Sequence, residues 1–147
     1  MTQVHGTCVE VAGIGVLLRG AEGSGKSDLA LRLIDGGARL VGDDRIDLRA
    51  GDGGLWASAP AALAGQLEVR GMGIMTVPAV AAARLGLVCD LVSAAPIERL
   101  PRRETVEINS VSLARLSIAP FEVSAAAKVR LAARALVRGI LPDHDNG

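Results

Sequence analysis

The spacing of apolar residues changes period twice in the first third of the chain, and each change marks an element. Thr7 to Val11 holds Cys8, Val9 and Val11 in near-alternation and runs into Gly13, which predicts a strand. Ile14 to Leu18 is an apolar run of strand length, so a buried strand follows, joined to the first as a hairpin. From Asp28 to Ile34 the period becomes helical: Leu29, Ala30, Leu33 and Ile34 share one face, and Gly36-Gly37 can end the helix.

Beyond that helix, Arg39-Leu40-Val41-Gly42 is a short strand that ends in two adjacent carboxylates, Asp43 and Asp44. Arg45 to Leu48 continues as a strand. Leu48 to Ser58 folds back around Gly51-Asp52-Gly53-Gly54, which places Leu55 and Trp56 on the return strand and Trp56 in the core. In Leu67 to Arg70, alternation puts Leu67 and Val69 on one face and Glu68 and Arg70 on the other; read alone, the second pair is a solvated face. Leu85 to Val92 and Leu113 to Ile118 are further strands, with the charged loop Glu98 to Glu104 between them. Ser124 is positioned to cap a last helix, Ala125 to Arg138, on which Arg130, Arg134 and Arg138 form a wet stripe.

These elements describe an α/β chain, and no repeat or linker divides it. Residues 1–147 are therefore expected to form one domain, with only the tail, residues 142–147, disordered. Lys and Arg (16) balance Asp and Glu (16), and aromatic residues amount to one Phe and one Trp. The chain thus has neither the basic footprint nor the stacking platform of a nucleic-acid binder. Cys8 and Cys89 sit in apolar surroundings, as core thiols of a reduced protein do. No secretion signal opens the sequence, and the apolar stretches 72–83 and 85–92 are too short to span a bilayer. A soluble, cytoplasmic protein with no membrane partner is expected.

The candidate chemistry lies between the second strand and the first helix. Gly20-Ala21-Glu22-Gly23-Ser24-Gly25-Lys26-Ser27 fits the phosphate-binding pattern G-x-x-x-x-G-K-[ST] at every fixed position. Backbone N–H groups can wrap a polyphosphate only where glycines let the chain approach closely, and the helix that follows aims its positive end at the anion. Lys26 can reach the terminal phosphates and the Ser27 hydroxyl can ligate magnesium. Asp43 and Asp44 end a strand, where open α/β sheets place their ligands. A phosphate loop alone equally suits a small-molecule kinase or a nucleotide-sensing module.

Several stretches together narrow the choice. His5-Gly6, the loop from Gly20 to Ser27, Arg39-Leu40-Val41-Gly42-Asp43-Asp44-Arg45, and above all Leu67-Glu68-Val69-Arg70-Gly71-Met72-Gly73-Ile74 make the chain similar to the catalytic domain of HPr kinase/phosphorylase. The likeness is good from His5 to Ile74, weakens toward Arg99-Leu100 and is poor beyond Ser110. It implies a P-loop domain with a mixed central sheet flanked by helices, like that of phosphoenolpyruvate carboxykinases. It also implies an ATP- and Mg2+-dependent serine kinase acting on the phosphocarrier protein HPr within the phosphotransferase system, assembled as a homohexamer. The family's roles fall on Lys26 as phosphate ligand, Ser27 and Glu68 as magnesium ligands with Asp43 in support, and Asp44 as the residue that moves the proton. His5, Arg70 and Arg99 match further active-site positions. Two departures stand out: the family's amino-terminal domain has no counterpart, which suggests a short form, and Ile118 to Val123 replaces a basic, glycine-containing segment tied to dephosphorylation. Kinase activity is expected to dominate over phosphorolysis.

Overall fold

The computed structural model describes residues 1–144. In chain order the elements are β1 (Thr2–His5), β2 (Thr7–Val11), β3 (Ile14–Arg19), α1 (Lys26–Asp35), β4 (Arg39–Gly42), β5 (Arg45–Gly51) and β6 (Gly54–Ser58). They continue as β7 (Gln66–Val69), β8 (Gly73–Thr76), β9 (Ala83–Leu91), β10 (Glu104–Ile108), β11 (Val111–Ile118) and α2 (Ala125–Val137). The central sheet is mixed: β3 is antiparallel to β2 and parallel to β9, β9 is parallel to β11, and β4 and β10 extend the two sides. At its start β9 pairs antiparallel with β6, which continues the sheet through β5 to β1. One long strand thereby belongs to both halves and curls the sheet. Strands β7 and β8 form a separate hairpin.

Strands with neighbours on both edges and side chains on both faces must be apolar throughout, and two cores result. On one face Val9, Val16, Leu18, Leu87 and Cys89 meet Leu29 and Leu33 of α1 and Val129 and Ala133 of α2. On the other Cys8, Leu17, Val88 and Leu113 meet Ile46, Leu48 and Leu55. Leu85 and Leu87 have the same parity yet fall in opposite cores, because the pairing of β3 with β9 slips between Gly15↔Leu85 and Val16↔Leu87. The extra residue is Gly86; a Cβ there would stand 3.0 Å from Ile14 Cδ1, so any larger residue at the bulge would have to displace the Ile14 side chain. Burial pushes both the Cys8 and the Cys89 thiol up to about 12, so both are inert core residues at neutral pH.

All strands expected from patterning are present. Three further strands, β1, β8 and β10, are not signalled by it: β1 is short and mostly exposed, β8 is exposed along its length, and β10 is a half-exposed edge strand. Trp56 is not a core residue but 37% exposed, since the inward positions of β6 are Leu55 and Ala57. Ser124 makes no capping hydrogen bond. Within the arginine stripe Arg130 leaves the surface and donates to the Arg32 carbonyl near the end of α1, at 3.0 Å. In the tail, the Arg103 and His144 backbone N–H groups donate to Asp143 and to the Pro101 carbonyl at 2.8 and 3.3 Å; residues 145–147 lie outside the described residues. Among those described, no helix is long and apolar enough to cross a membrane.

Candidate active site

At the carboxyl end of β3 the chain leaves the sheet and forms the phosphate loop. Arg19, the last strand residue, is tied down by Asp90 of β9 through two hydrogen bonds of 2.8 and 2.9 Å, and Arg115 of β11 donates to the same carboxylate at 2.6 Å. Burial favours the neutral acid, but the two guanidinium groups outweigh it and hold the Asp90 carboxyl below its ordinary range. The cluster locks three parallel strands together just before the loop begins.

The loop itself is compact. A Cβ on Gly20 would lie 2.5 Å from the Ser24 hydroxyl, so close passage of the chain demands glycine there. Gly25 takes the left-handed conformation (φ 99°) as the residue preceding α1, and no side chain caps the helix. The first N–H groups of α1 are therefore left to an anion, which the helix dipole also favours. Lys26 is nearly buried, and its Nζ donates to the carbonyls of Gly20 and Ala21 at 2.8 and 2.9 Å. The ammonium is held within the loop.

The turn between β4 and β5 carries the two aspartates, and it sends them to different partners. Asp43 accepts from Thr7 Oγ1 at 2.8 Å, from Ser27 Oγ at 3.1 Å and from the Glu68 backbone N–H at 3.3 Å. One carboxylate thus joins β2, α1 and β7. Asp44 has a positive φ of 73°, uncommon for a residue with a side chain, and its carbonyl accepts from Gly6 N–H at 3.1 Å. Its carboxylate stays 63% exposed and lies 3.3 Å from His5 Nδ1.

These groups line one cleft of about 1050 Å³, which contains His5, Glu22, Gly23, Gly25, Lys26, Ser27, Asp43, Asp44, Glu68 and Arg70. Gly20, Ala21 and Ser24 support it from behind as parts of the loop. Arg99 is not among the lining residues; it lies on the loop between β9 and β10. Thr7 and Phe121 are among the residues of the site that were not singled out from the sequence. Thr7, fully buried and polar, is betrayed only by opening an otherwise apolar strand, and Phe121, which lines the cleft beside Gly25, carries no motif.

Among the described residues no group of three or more His, Cys, Asp or Glu side chains is arranged to hold a metal alone. The donors that do converge, the Ser27 hydroxyl and the Asp43 carboxylate with Glu68 nearby, are hard oxygens. They suit magnesium, which takes few protein ligands and completes its octahedron with phosphate and water.

An interior strand of a mixed sheet that runs through a phosphate loop into a helix defines an α/β domain of the P-loop kinase type. The chain belongs to the HPr serine kinase C-terminal domain family, whose model matches residues 1–125. It is 51% identical over 78 residues to the HPr kinase/phosphorylase of Clostridium novyi (strain NT), a stretch covering 53% of this chain and 25% of that protein. With the enzyme of the same name from Clostridium acetobutylicum it shares 47% over 78 residues, 53% of this chain and 26% of the relative. The match thus spans about a quarter of the length of these curated relatives. Among solved structures, the Hpr(Ser) kinase/phosphatase from Coxiella burnetii superposes with a TM-score of 0.78 and 29% identity, covering 95% of this chain and 90% of that one.

Proposed function

We propose that this chain is an ATP- and magnesium-dependent kinase that phosphorylates a serine of an HPr-type phosphocarrier protein. The observation that carries the reading is the convergence, in one cleft, of the phosphate loop with Asp43, Asp44, Glu68, Arg70 and His5. Magnesium, when bound, supplies charge neutralisation across the terminal phosphates. Ser27 and Asp43 would hold it with Glu68 in support, and the N–H groups of the loop and Lys26 would bind the phosphates. Asp44 is exposed and oriented by His5, so it can take the proton from the serine hydroxyl as the oxygen attacks the terminal phosphorus. Arg70 offers a cation for the transferring group.

A protein substrate is supported by the rim of the cleft. Met72 and Ile74 at the β7–β8 hairpin are 66% and 63% exposed, an apolar edge that a macromolecule can cover. The experiment is transfer from labelled ATP and magnesium to purified HPr. Label on HPr supports the proposal; label on a metabolite, or binding without transfer, defeats it. The hexamer implied by the family is checked by light scattering, for which a monomer at working concentration is the contrary result.

A further inference from the structure

Phe121 is the chain's one phenylalanine, and it stands 73% exposed at the edge of the cleft. Water is a poor environment for so large an apolar ring, yet the segment carrying it is firmly held. Arg32 of α1 donates to the Pro120 carbonyl and, at 3.4 Å, to the Glu122 carbonyl, so one guanidinium grips the backbone on both sides of the ring. The Glu122 N–H closes a turn onto the Ala119 carbonyl at 3.3 Å, and Arg32 is itself braced by Asp28 at 3.0 Å. The ring edge rests on the phosphate loop: Cε1 and Cζ would both lie 3.1 Å from a Cβ on Gly25. The helix that begins at the loop therefore positions an exposed aromatic ring beside it.

The placement relative to the acidic groups identifies what the ring is for. Asp43 meets α1 at Ser27, whereas the Phe121 segment meets it at Arg32, about 140° away around the helix axis. A donor whose phosphates lie on the loop, with its reacting end toward Asp43 and Asp44, turns its other end toward Phe121. We propose that Phe121 is the stacking platform for the purine base of the phosphoryl donor, so that this chain distinguishes a nucleoside triphosphate from inorganic polyphosphate. The inference rests on the phosphate-loop reading given above. A flat ring on a backbone already held by Arg32 costs little entropy to use, and stacking is strongest on the larger purine face and needs no base-reading hydrogen bonds.

The test compares binding of magnesium-ATP and magnesium-tripolyphosphate to the full chain by calorimetry, in the wild type, Phe121→Ala and Phe121→Trp. Phe121→Ala is expected to raise the Kd for magnesium-ATP about tenfold or more while leaving tripolyphosphate within twofold; Phe121→Trp should keep the preference. An unchanged Kd for ATP in Phe121→Ala would overturn the inference and leave the ring to a protein partner or a second copy of the chain. An equal loss for both ligands would also overturn it, because the ring would then only shape the loop. A wild type that binds neither ligand removes the phosphate-loop reading itself, and this inference with it. Melting temperatures show that each variant is folded, which the exposure of the ring favours.

Discussion

The Ser27 hydroxyl donates to the Asp43 carboxylate at 3.1 Å, which joins the residue after the phosphate-loop lysine to the first aspartate of the β4–β5 turn. The hydroxyl that would face the magnesium is thereby oriented by a carboxylate able to share the same ion. Asp43→Asn is expected to raise the magnesium concentration for half-maximal transfer by about tenfold or more. A magnesium titration of phosphoryl transfer checks this. Wild-type magnesium dependence in the variant would show that Asp43 only braces the fold.

Lys26 and Asp44 should fail differently. Lys26→Ala is expected to lower phosphoryl transfer about a thousandfold, because a fixed cation for the transferring charge is lost. Asp44→Asn should lower kcat about a hundredfold or more while the Kd for magnesium-ATP stays near that of the wild type. Steady-state kinetics with parallel binding measurements separate the two, and weakened nucleotide binding in Asp44→Asn would reassign that residue.

Asp90 gives a pH signature far from the reacting atoms. Its carboxyl is held below the ordinary value of 3.8, so the cluster with Arg19 and Arg115 contributes fully above that value and is lost as pH falls through the lower, folded one. Asp90→Asn should cost about 1 to 3 kcal/mol at neutral pH by taking the shared acid from two half-buried guanidinium groups, of which Arg115 keeps only Glu104 at 3.4 Å. Below about pH 4 the difference should shrink. Denaturant unfolding at several pH values tests this, and a difference that persists undiminished in acid would be the contrary outcome.

The direction of the reaction follows from the cations available. Attack by inorganic phosphate on a phosphoserine brings two anions together, at a cost of about 4 kcal/mol for unit charges 4 Å apart near a protein surface. Of the fixed cations lining the cleft, Lys26 is bound into the loop, leaving Arg70. Pyrophosphate release from serine-phosphorylated HPr is expected to be much slower than the forward transfer on the same enzyme stock. Comparable rates would show that the cations of the cleft suffice for phosphorolysis.

How much of this was legible in the sequence depends on how local the signal is. The phosphate loop, the β2–β3 hairpin and the Asp52-Gly53 turn, with φ of 49° and 74°, are decided within a few residues and were readable. So was the alternation that buries Leu67 and exposes Glu68. The division of labour between Asp43 and Asp44 was not, because it depends on Thr7 and His5 arriving from the first strands. Trp56 misled because its size argues for the core while its parity on β6 turns it outward. Phe121 was invisible as a site residue, since its position is fixed by Arg32, distant in sequence.

The parallel pairing of β3 with β9 joins residues 15–19 to residues 85–90, and it sets the order of events when the chain is made. As synthesis proceeds from the amino terminus, the phosphate loop emerges early, yet the strand that leads into it lacks its second neighbour until the ribosome has passed Leu91. Closing so long a loop is entropically costly before any contact rewards it, so folding should be slow for a domain of this size. A donor that binds only the completed loop would stabilise the finished domain, so in a refolding experiment magnesium-ATP should slow unfolding while leaving the folding rate almost unchanged.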